Sequence, residues 1–428
     1  MPEPLRLGIA GLGTVGIGTV KILQRHAELL SRRAGRGLSV AAISARDRTK
    51  NRDADISCYE WEDDPVALAR REDVDVYVEL MGGADGPALA AIRAAIETGK
   101  DVVTANKALL AHHGQQLAEA AEAKGHVIRF EAAVAGGIPV VKALTEGLAG
   151  NEIRRVVGVM NGTCNYILTR MEESGLPYTD IFEEARQLGY LEADPELDVG
   201  GIDAGHKLSL LASIAFGTRV SFDAVDLEGI GRVSIDDIHR ARDMGFRIKL
   251  LGVAQMTGRG LEQRMSPCLV PADSPLGQLQ GGTNMVVLEG DSVGQVVLRG
   301  AGAGAGPTAS AVMSDVIEIA RGTRLSTFGQ PAATLTEPTP ARSSAPAPYY
   351  LRMGLTDKPG ALAKVATVLG EEGISIDRMR QYGHADTSAP VLIVTHKTTR
   401  EAVDHALRRL PATAVVLGDP VAIRIETV

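Results

Sequence analysis

Asp203 and Lys207 stand four residues apart in the stretch Gly-Ile-Asp-Ala-Gly-His-Lys that begins at Gly201. On a helix that spacing puts both side chains on one face. At an exposed site such a pair is an ordinary surface salt bridge, worth about 0.3–0.5 kcal/mol. Here the same helix continues through Leu208, Leu210, Leu211, Ile214 and Phe216. An ion pair opening a buried helix needs a reason. A lysine held beside a carboxylate in a partly closed site can trade a proton with a substrate hydroxyl. The preceding segment, from Gly189, is crowded with further acids: Glu192, Asp194, Glu196 and Asp198.

Three further motifs could serve the same chemistry. Thr104-Ala105-Asn106-Lys107 follows a short apolar run, Asp101–Val103. Loops at the carboxyl ends of strands in open α/β sheets line the ligand crevice, so Lys107 could face the reacting end of a cofactor. Asn161-Gly162-Thr163 follows a strand candidate and opens a helix, an anion-ready terminus or a plain helix cap. The small-residue loop from Glu131 through Val134, Gly136 and Ile138 to Pro139 could offer carbonyl oxygens to a hard cation, although a tight packing turn explains it as well.

These residues need a scaffold, and its first element is explicit. The apolar run Leu5–Ala10 leads directly into Gly11-Leu12-Gly13-Thr14-Val15-Gly16. This is G-x-G-x-x-G between a strand and a helix, the dinucleotide fingerprint in its proper context. Gly11 permits the tight turn, Gly13 lets backbone approach a pyrophosphate, and Gly16 packs helix on strand. The second strand ends at Ser44-Ala45-Arg46-Asp47. An acid there accepts from a ribose 2′-hydroxyl and favours NAD, whereas an arginine pairs with a 2′-phosphate. Arg46 comes first and Arg48 and Lys50 add charge, so NADP(H) is preferred and NAD(H) stays open.

Composition narrows the class. The 428 residues are 45% hydrophobic and 23% charged, which suits a folded chain of about three domains. Acids outnumber bases by 53 to 45, which argues against a nucleic-acid partner held by a basic surface. Three scattered cysteines exclude a disulfide framework, and the nine histidines show no zinc spacing. No run of 18 apolar residues or basic-then-apolar leader is visible, so a cytoplasmic chain without a membrane partner is expected.

The expected architecture is α/β. Short apolar runs alternate with helical periodicity over 1–130: strands at Leu5–Ala10, Leu38–Ser44, Val74–Leu80, Asp101–Val103 and His126–Phe130, with helices such as Val15–Arg33 and Gly86–Thr98. That pattern predicts a doubly wound parallel sheet, a Rossmann domain. Residues 131–303 read as an α+β substrate-binding and dimerisation domain, with strands at Arg154–Met160, Arg247–Gln255 and Met285–Glu289. Residues 331–348 hold five prolines and read as an extended linker. Residues 349–428 show βαββαβ order, the ferredoxin-like arrangement. The Gly/Ala alternation Gly300–Gly306 reads equally as a flexible loop or a ligand-approaching one.

Taken together, Gly11–Gly16, Thr104–Leu110, Glu131–Pro139, Asn161–Met171, Gly189–Phe216 and Gly302–Ala320 closely resemble homoserine dehydrogenase in its longer form with a C-terminal ACT domain. Without an aspartate-kinase segment, the monofunctional form is expected. The resemblance implies reversible NAD(P)-linked interconversion of L-homoserine and L-aspartate 4-semialdehyde, on the route to threonine, methionine and isoleucine. It implies that Lys207 donates the proton, with Lys107 polarising the same oxygen and Asp203 organising the lysines. Glu192 would bind the substrate amino group, with Asp198, Thr163 and Gly162 around it. Gly11, Leu12, Gly13, Thr14, Val15, Gly16, Arg46, Thr104, Lys107, Gly189 and Gly304 would serve the cofactor. The Gly304 assignment tips the Gly/Ala stretch toward ligand approach. A sodium-like ion is implied at Glu131, Val134, Gly136 and Ile138. Asp357 and Gly360 match the ACT effector turn, implying L-threonine as feedback inhibitor, and a homodimer or homotetramer is implied. The helix after Gly306, about 304–330, would complete the nucleotide domain. The rivals are another NAD(P)-linked amino-acid semialdehyde dehydrogenase or reductase, and a non-catalytic ACT sensor.

Overall fold

The computed structural model describes residues 2–191, 194–341, 343–382 and 388–427. Its first sheet has six parallel strands among these residues: β1 (Leu5–Ala10), β2 (Leu38–Ser44), β3 (Glu60–Trp61), β4 (Val76–Glu79), β5 (Asp101–Thr104) and β6 (Ile128–Arg129). They lie in the order β3-β2-β1-β4-β5-β6, the doubly wound order, with the chain reversing direction across the sheet at β1 and β4. Leu7, Ile9, Val76, Val78, Val102 and Val103 are fully buried, as expected for strands covered by helices on both faces. The helix Ala305–Ala320 returns from late in the chain and packs on the first helix, Thr14–Arg25. The approach is close: a Cβ on Gly18 would stand 2.6 Å from the Ala305 carbonyl oxygen.

The second sheet joins two pieces of chain. Its strands are β7 (Ile153–Val159), β8 (Asp226–Leu227), β9 (Phe246–Thr257), β10 (Gly260–Pro271), β11 (Thr283–Gly290), β12 (Gly294–Ala301), β13 (Tyr349–Thr356), β14 (Ile376–Gln381), β15 (Ser388–Thr395) and β16 (Val416–Ile425). The path is β12-β11-β7-β9-β10-β16-β13-β15-β14, with β8 beside β10. The last four strands on that path form the antiparallel ferredoxin-like half, with two helices, Ala361–Glu371 and Arg400–Arg409. β10 and β16 pair in parallel through Cys268 with Arg424 and Leu269 with Ile425, fusing the halves into one sheet. The α/β class, the parallel nucleotide sheet, the mixed central sheet and the ferredoxin-like tail are as expected from the sequence.

Three local expectations change. The helix expected over Val15–Arg33 is two, Thr14–Arg25 and Ala27–Ala34, broken at His26, and the bend lets Leu30 join the core around Leu5 and Val20. The proline-rich stretch opens with a 3-10 turn, Ala332–Thr334, and is not a free spacer. Arg219 and Leu261 donate backbone hydrogen bonds to Thr336 and Thr339, and Ala332, Leu335 and Ala347 are buried. β10 and β12 were not anticipated.

Candidate active site

Between the two sheets lies a cleft of about 550 Å³. The elements that form its walls each have a local reason to end there. At the end of β1, Gly11 takes φ 97°, and a Cβ on it would stand 2.4 Å from the Leu80 carbonyl oxygen. A Cβ on Gly16 would stand 1.9 Å from the Gly11 carbonyl oxygen, so the turn admits only glycine at both positions. Gly13 caps the helix and faces open space, with nothing within 4 Å of a Cβ there. Gly13 therefore leaves room for a pyrophosphate over a helix N-terminus whose first residues, Thr14 and Val15, line the cleft. Leu12 points into the nucleotide-domain core.

The second wall is the start of the helix Gly162–Ser174. The Asn161 side chain caps it, accepting from the Cys164 backbone N–H at 2.8 Å, and also donates to Asp198 at 3.0 Å. Such a cap contributes about 1 kcal/mol. Gly162, Thr163 and Asp198 line the cleft, and the Thr163 hydroxyl donates to the Tyr190 carbonyl at 3.0 Å. Gly189 lines the same wall. Burial raises the Cys164 thiol well above its ordinary value, so it stays protonated and is no nucleophile.

The charged centre comes from two helices far apart in the chain. Lys107 begins the helix Lys107–Glu122, held in place by Asn106, whose side chain accepts from the Leu109 N–H. Asp203 and Lys207 lie in the first turns of Ile202–Phe216, which starts at Gly201 with φ 83°. Asp203 takes both lysines, Lys207 at 2.6 Å and Lys107 at 2.8 Å. Lys207 also donates to the Met160 carbonyl at 3.0 Å. Burial alone would raise the Asp203 pKa, but Lys207 and then Lys107 outweigh it and hold it well below the usual carboxylate range. Asp203 is therefore charged at neutral pH and holds both ammonium groups at the cleft wall.

Other expected site residues sit further out. Arg46 is exposed just past the end of β2 and is not in the cleft wall. Thr104 is buried, its hydroxyl donating to Glu79 at 2.6 Å and accepting from the Asn106 N–H. Thr104 thus braces the loop that presents Ala105 and Lys107. Gly304, with φ 117°, lines the cleft as the N-cap of Ala305–Ala320. Val134 and Gly136 line it too, while Glu131 and Ile138 are buried behind them. The Glu131 carboxylate accepts from the Val141 and Lys142 N–H groups. Asp357 and Gly360 lie far along the second sheet, where Gly360 caps Ala361–Glu371 with φ 84°. Glu192 lies outside the described residues. Two cleft residues that motif reading passed over are Asn284 and Gly282. The trace of Asn284 in the sequence is a polar residue opening the apolar run Met285–Leu288.

A nucleotide turn at one end of a cleft and a lysine-flanked carboxylate at the other belong to an NAD(P)-dependent oxidoreductase. Comparison with known proteins narrows this further. The homoserine dehydrogenase NAD-binding domain model matches residues 11–131, the homoserine dehydrogenase model residues 139–317, and the ACT domain model residues 349–412. Homoserine dehydrogenase of Pseudomonas aeruginosa is 44% identical over 99% of both chains. A crystal structure of a homoserine dehydrogenase from Thiobacillus denitrificans superposes with a TM-score of 0.93 at 39% identity, covering 99% of this chain and 98% of that one. A hyperthermophilic archaeal homoserine dehydrogenase mutant, in complex with NADPH, matches at a TM-score of 0.63 and 28% identity over 74% of this chain and 97% of that one. The chain belongs to the homoserine dehydrogenase family, and its activity is that of a nicotinamide-dependent homoserine dehydrogenase on a small-molecule substrate. No helix among the described residues is long and apolar enough to cross a membrane.

Proposed function

We propose that the cleft interconverts L-homoserine and L-aspartate 4-semialdehyde reversibly, with NADP(H) preferred over NAD(H). The observation that carries this reading is Asp203 held between Lys107 and Lys207 in the cleft wall. When bound, the nicotinamide supplies the hydride acceptor or donor, and the open space over Gly13 and the glycine at 304 fit its carrier. Lys207 gives a proton to the alkoxide oxygen in the reductive direction and takes it back in the oxidative one, directly or through water. Lys107 polarises the same oxygen. Asp203 fixes both ammonium groups and so spares their reorganisation during the reaction. Asp198, Thr163 and Gly162 shape the amino-acid end together with Glu192, where a carboxylate suits an ammonium group.

Cofactor preference rests on the loop after β2. The Asp47 carboxylate accepts from the Thr49 N–H at 2.8 Å, from its hydroxyl at 2.7 Å and from the Lys50 N–H at 3.1 Å. These bonds, those from Thr49 first, lower its pKa and commit it to its own loop. That leaves Arg46 to meet the ribose, which favours a 2′-phosphate. The cation reading takes main-chain oxygens only. With the Glu131 carboxylate committed and the Ile138 carbonyl already accepting from Val140, carbonyls of the 131–138 loop would hold a hard monovalent ion such as sodium. The tail would bind L-threonine near Asp357 and Gly360 in a cytoplasmic homodimer or homotetramer and restrain flux toward threonine, methionine and isoleucine.

The test is the absorbance change of NADP+ and of NAD+ with L-homoserine, with and without L-threonine, in the natural chain and in Arg46→Ala. Reduction of both cofactors, NADP+ faster, is expected. Arg46→Ala should weaken NADPH far more than NADH. Equal weakening would remove Arg46 from the phosphate site, and no reduction of either cofactor would favour another NAD(P)-linked amino-acid semialdehyde dehydrogenase or the sensor reading.

A further inference from the structure

Asn284 is the second residue of β11, with 2% of its surface exposed. Val286 and Leu288 follow it on the same face of the strand, apolar and fully buried. A carboxamide at the head of such a row has to be satisfied, because a buried amide oxygen left unpaired is costly. The Asn284 Oδ1 has no hydrogen-bond partner among the described residues. The contrast with two nearby asparagines is direct. Asn161 accepts from Cys164 and donates to Asp198. Asn165 accepts from Lys249 at 2.9 Å and donates to the Gly281 carbonyl at 2.7 Å.

The surroundings set this unpaired carboxamide beside the cleft. Asn284 lines it together with Gly162, Gly282 and Gly302. A Cβ on Gly302 would lie 2.0 Å from the Asn284 Nδ2, and one on Gly162 3.3 Å from its Oδ1, so the glycines leave room for the carboxamide. The loop before it is latched. Lys249, 4% exposed, donates to the Leu279 carbonyl as well as to Asn165. The acceptor is therefore fixed before any ligand arrives, which is what a binding group needs.

We propose that Asn284 is a ligand-binding residue, its side-chain oxygen accepting a hydrogen bond from a nitrogen-bound hydrogen of a molecule in the cleft. The inference rests on the reading of that cleft as the dinucleotide and amino-acid site. Two molecules bring such a hydrogen there, the nicotinamide through its carboxamide and the substrate through its ammonium group.

The experiment separates them. NADPH binding is titrated by nucleotide fluorescence, the KM for L-homoserine is measured at saturating NADP+, and the thermal midpoint reports the fold. Asn284→Ala should raise either the NADPH Kd or the homoserine KM about tenfold and leave the other within twofold. Asn284→Asp keeps an acceptor oxygen and adds charge, so it should restore the homoserine KM if the partner is the ammonium group and the NADPH Kd if it is the carboxamide. Unchanged constants in a folded Asn284→Ala would overturn the proposal. So would equal weakening of both constants in Asn284→Ala, Asn284→Ser and Asn284→Asp, the mark of packing alone. If Asn284→Ala does not fold, the serine and aspartate variants decide by the same criteria. The NADPH titration needs no turnover, so an inactive natural chain would count against the homoserine reading while that arm still judges Asn284.

Discussion

Two buried charge clusters sit in this molecule, and they are built from different bases. In the cleft, Asp203 is shared by two lysines. At the seam where β16 meets β10, Glu426 is shared by three arginines, Arg155, Arg264 and Arg424, and Arg264 also pairs with Glu262 at 3.0 Å. In both clusters, burial alone would raise the carboxylate pKa and the surrounding cations bring it below its ordinary value. The difference lies in what the cations can do next. A guanidinium does not give up its proton in a protein and binds through a rigid fork, whereas an ammonium group can pass a proton on. The seam is a clamp between the catalytic half and the ACT half of one sheet. The cleft cluster lines an open wall, where on the proposed function its lysines exchange a proton.

Moving the seam's chemistry into the cleft should break the catalytic cluster. Lys207→Arg keeps the charge and the pairing with Asp203 but removes a group able to act as general acid. Turnover should fall about 10³-fold, within the range for loss of such a group. Lys207→Ala should fall as far, and NADPH binding should stay within threefold in both. The check is steady-state turnover beside a fluorescence titration of the nucleotide. If Lys207→Arg keeps a tenth of the natural rate, charge alone suffices and the proton-donor role is wrong.

The converse change tests the clamp. Glu426→Gln leaves three guanidinium groups crowded around a neutral amide, with Glu426 only 5% exposed in the natural chain. Removing one partner of a buried ion cluster costs about 3–5 kcal/mol. Thermal and denaturant midpoints should drop accordingly, while turnover per folded molecule at 25 °C stays near natural. An unchanged midpoint would mean that the cluster is already relaxed by solvent.

The same contrast explains what could be read in advance. β1 and β2 were legible to the residue because their cores are apolar runs bounded by glycine or polar turns. β10 was not, because it buries Glu262, Gln263 and Arg264 in succession, and periodicity looks for apolar residues. The parallel contact of β10 with β16 joins residues more than 150 positions apart, and no local pattern encodes such a pairing. In the cleft, Lys107, Asp203 and Lys207 were each visible as candidates. Their meeting on one carboxylate was not, since the two helices come together only through tertiary packing. Asn284 escaped because its neighbours read as the start of an ordinary strand.

The smallest expected effect concerns His206, which follows the shared carboxylate by one helical turn. Its ring packs 4.2 Å from Phe222 and 5.6 Å from His112. Burial first and then His112 push its pKa down to about 4; the upward pull of Asp203 exceeds the downward push of Lys107 or of Lys207 taken singly. A positive charge on a buried ring beside a second imidazole is what the site disfavours. The folded chain therefore keeps His206 neutral where the unfolded chain, near 6.5, takes up a proton. The stability that follows is complete above pH 6.5 and drains away as pH falls through 4. At pH 5 the loss is about 2 kcal/mol. His206→Gln cannot protonate, so its thermal midpoint should gain on the natural chain as pH drops from 7 to 5. Parallel midpoints across that range would show that the ring takes up its proton without the cost that burial imposes.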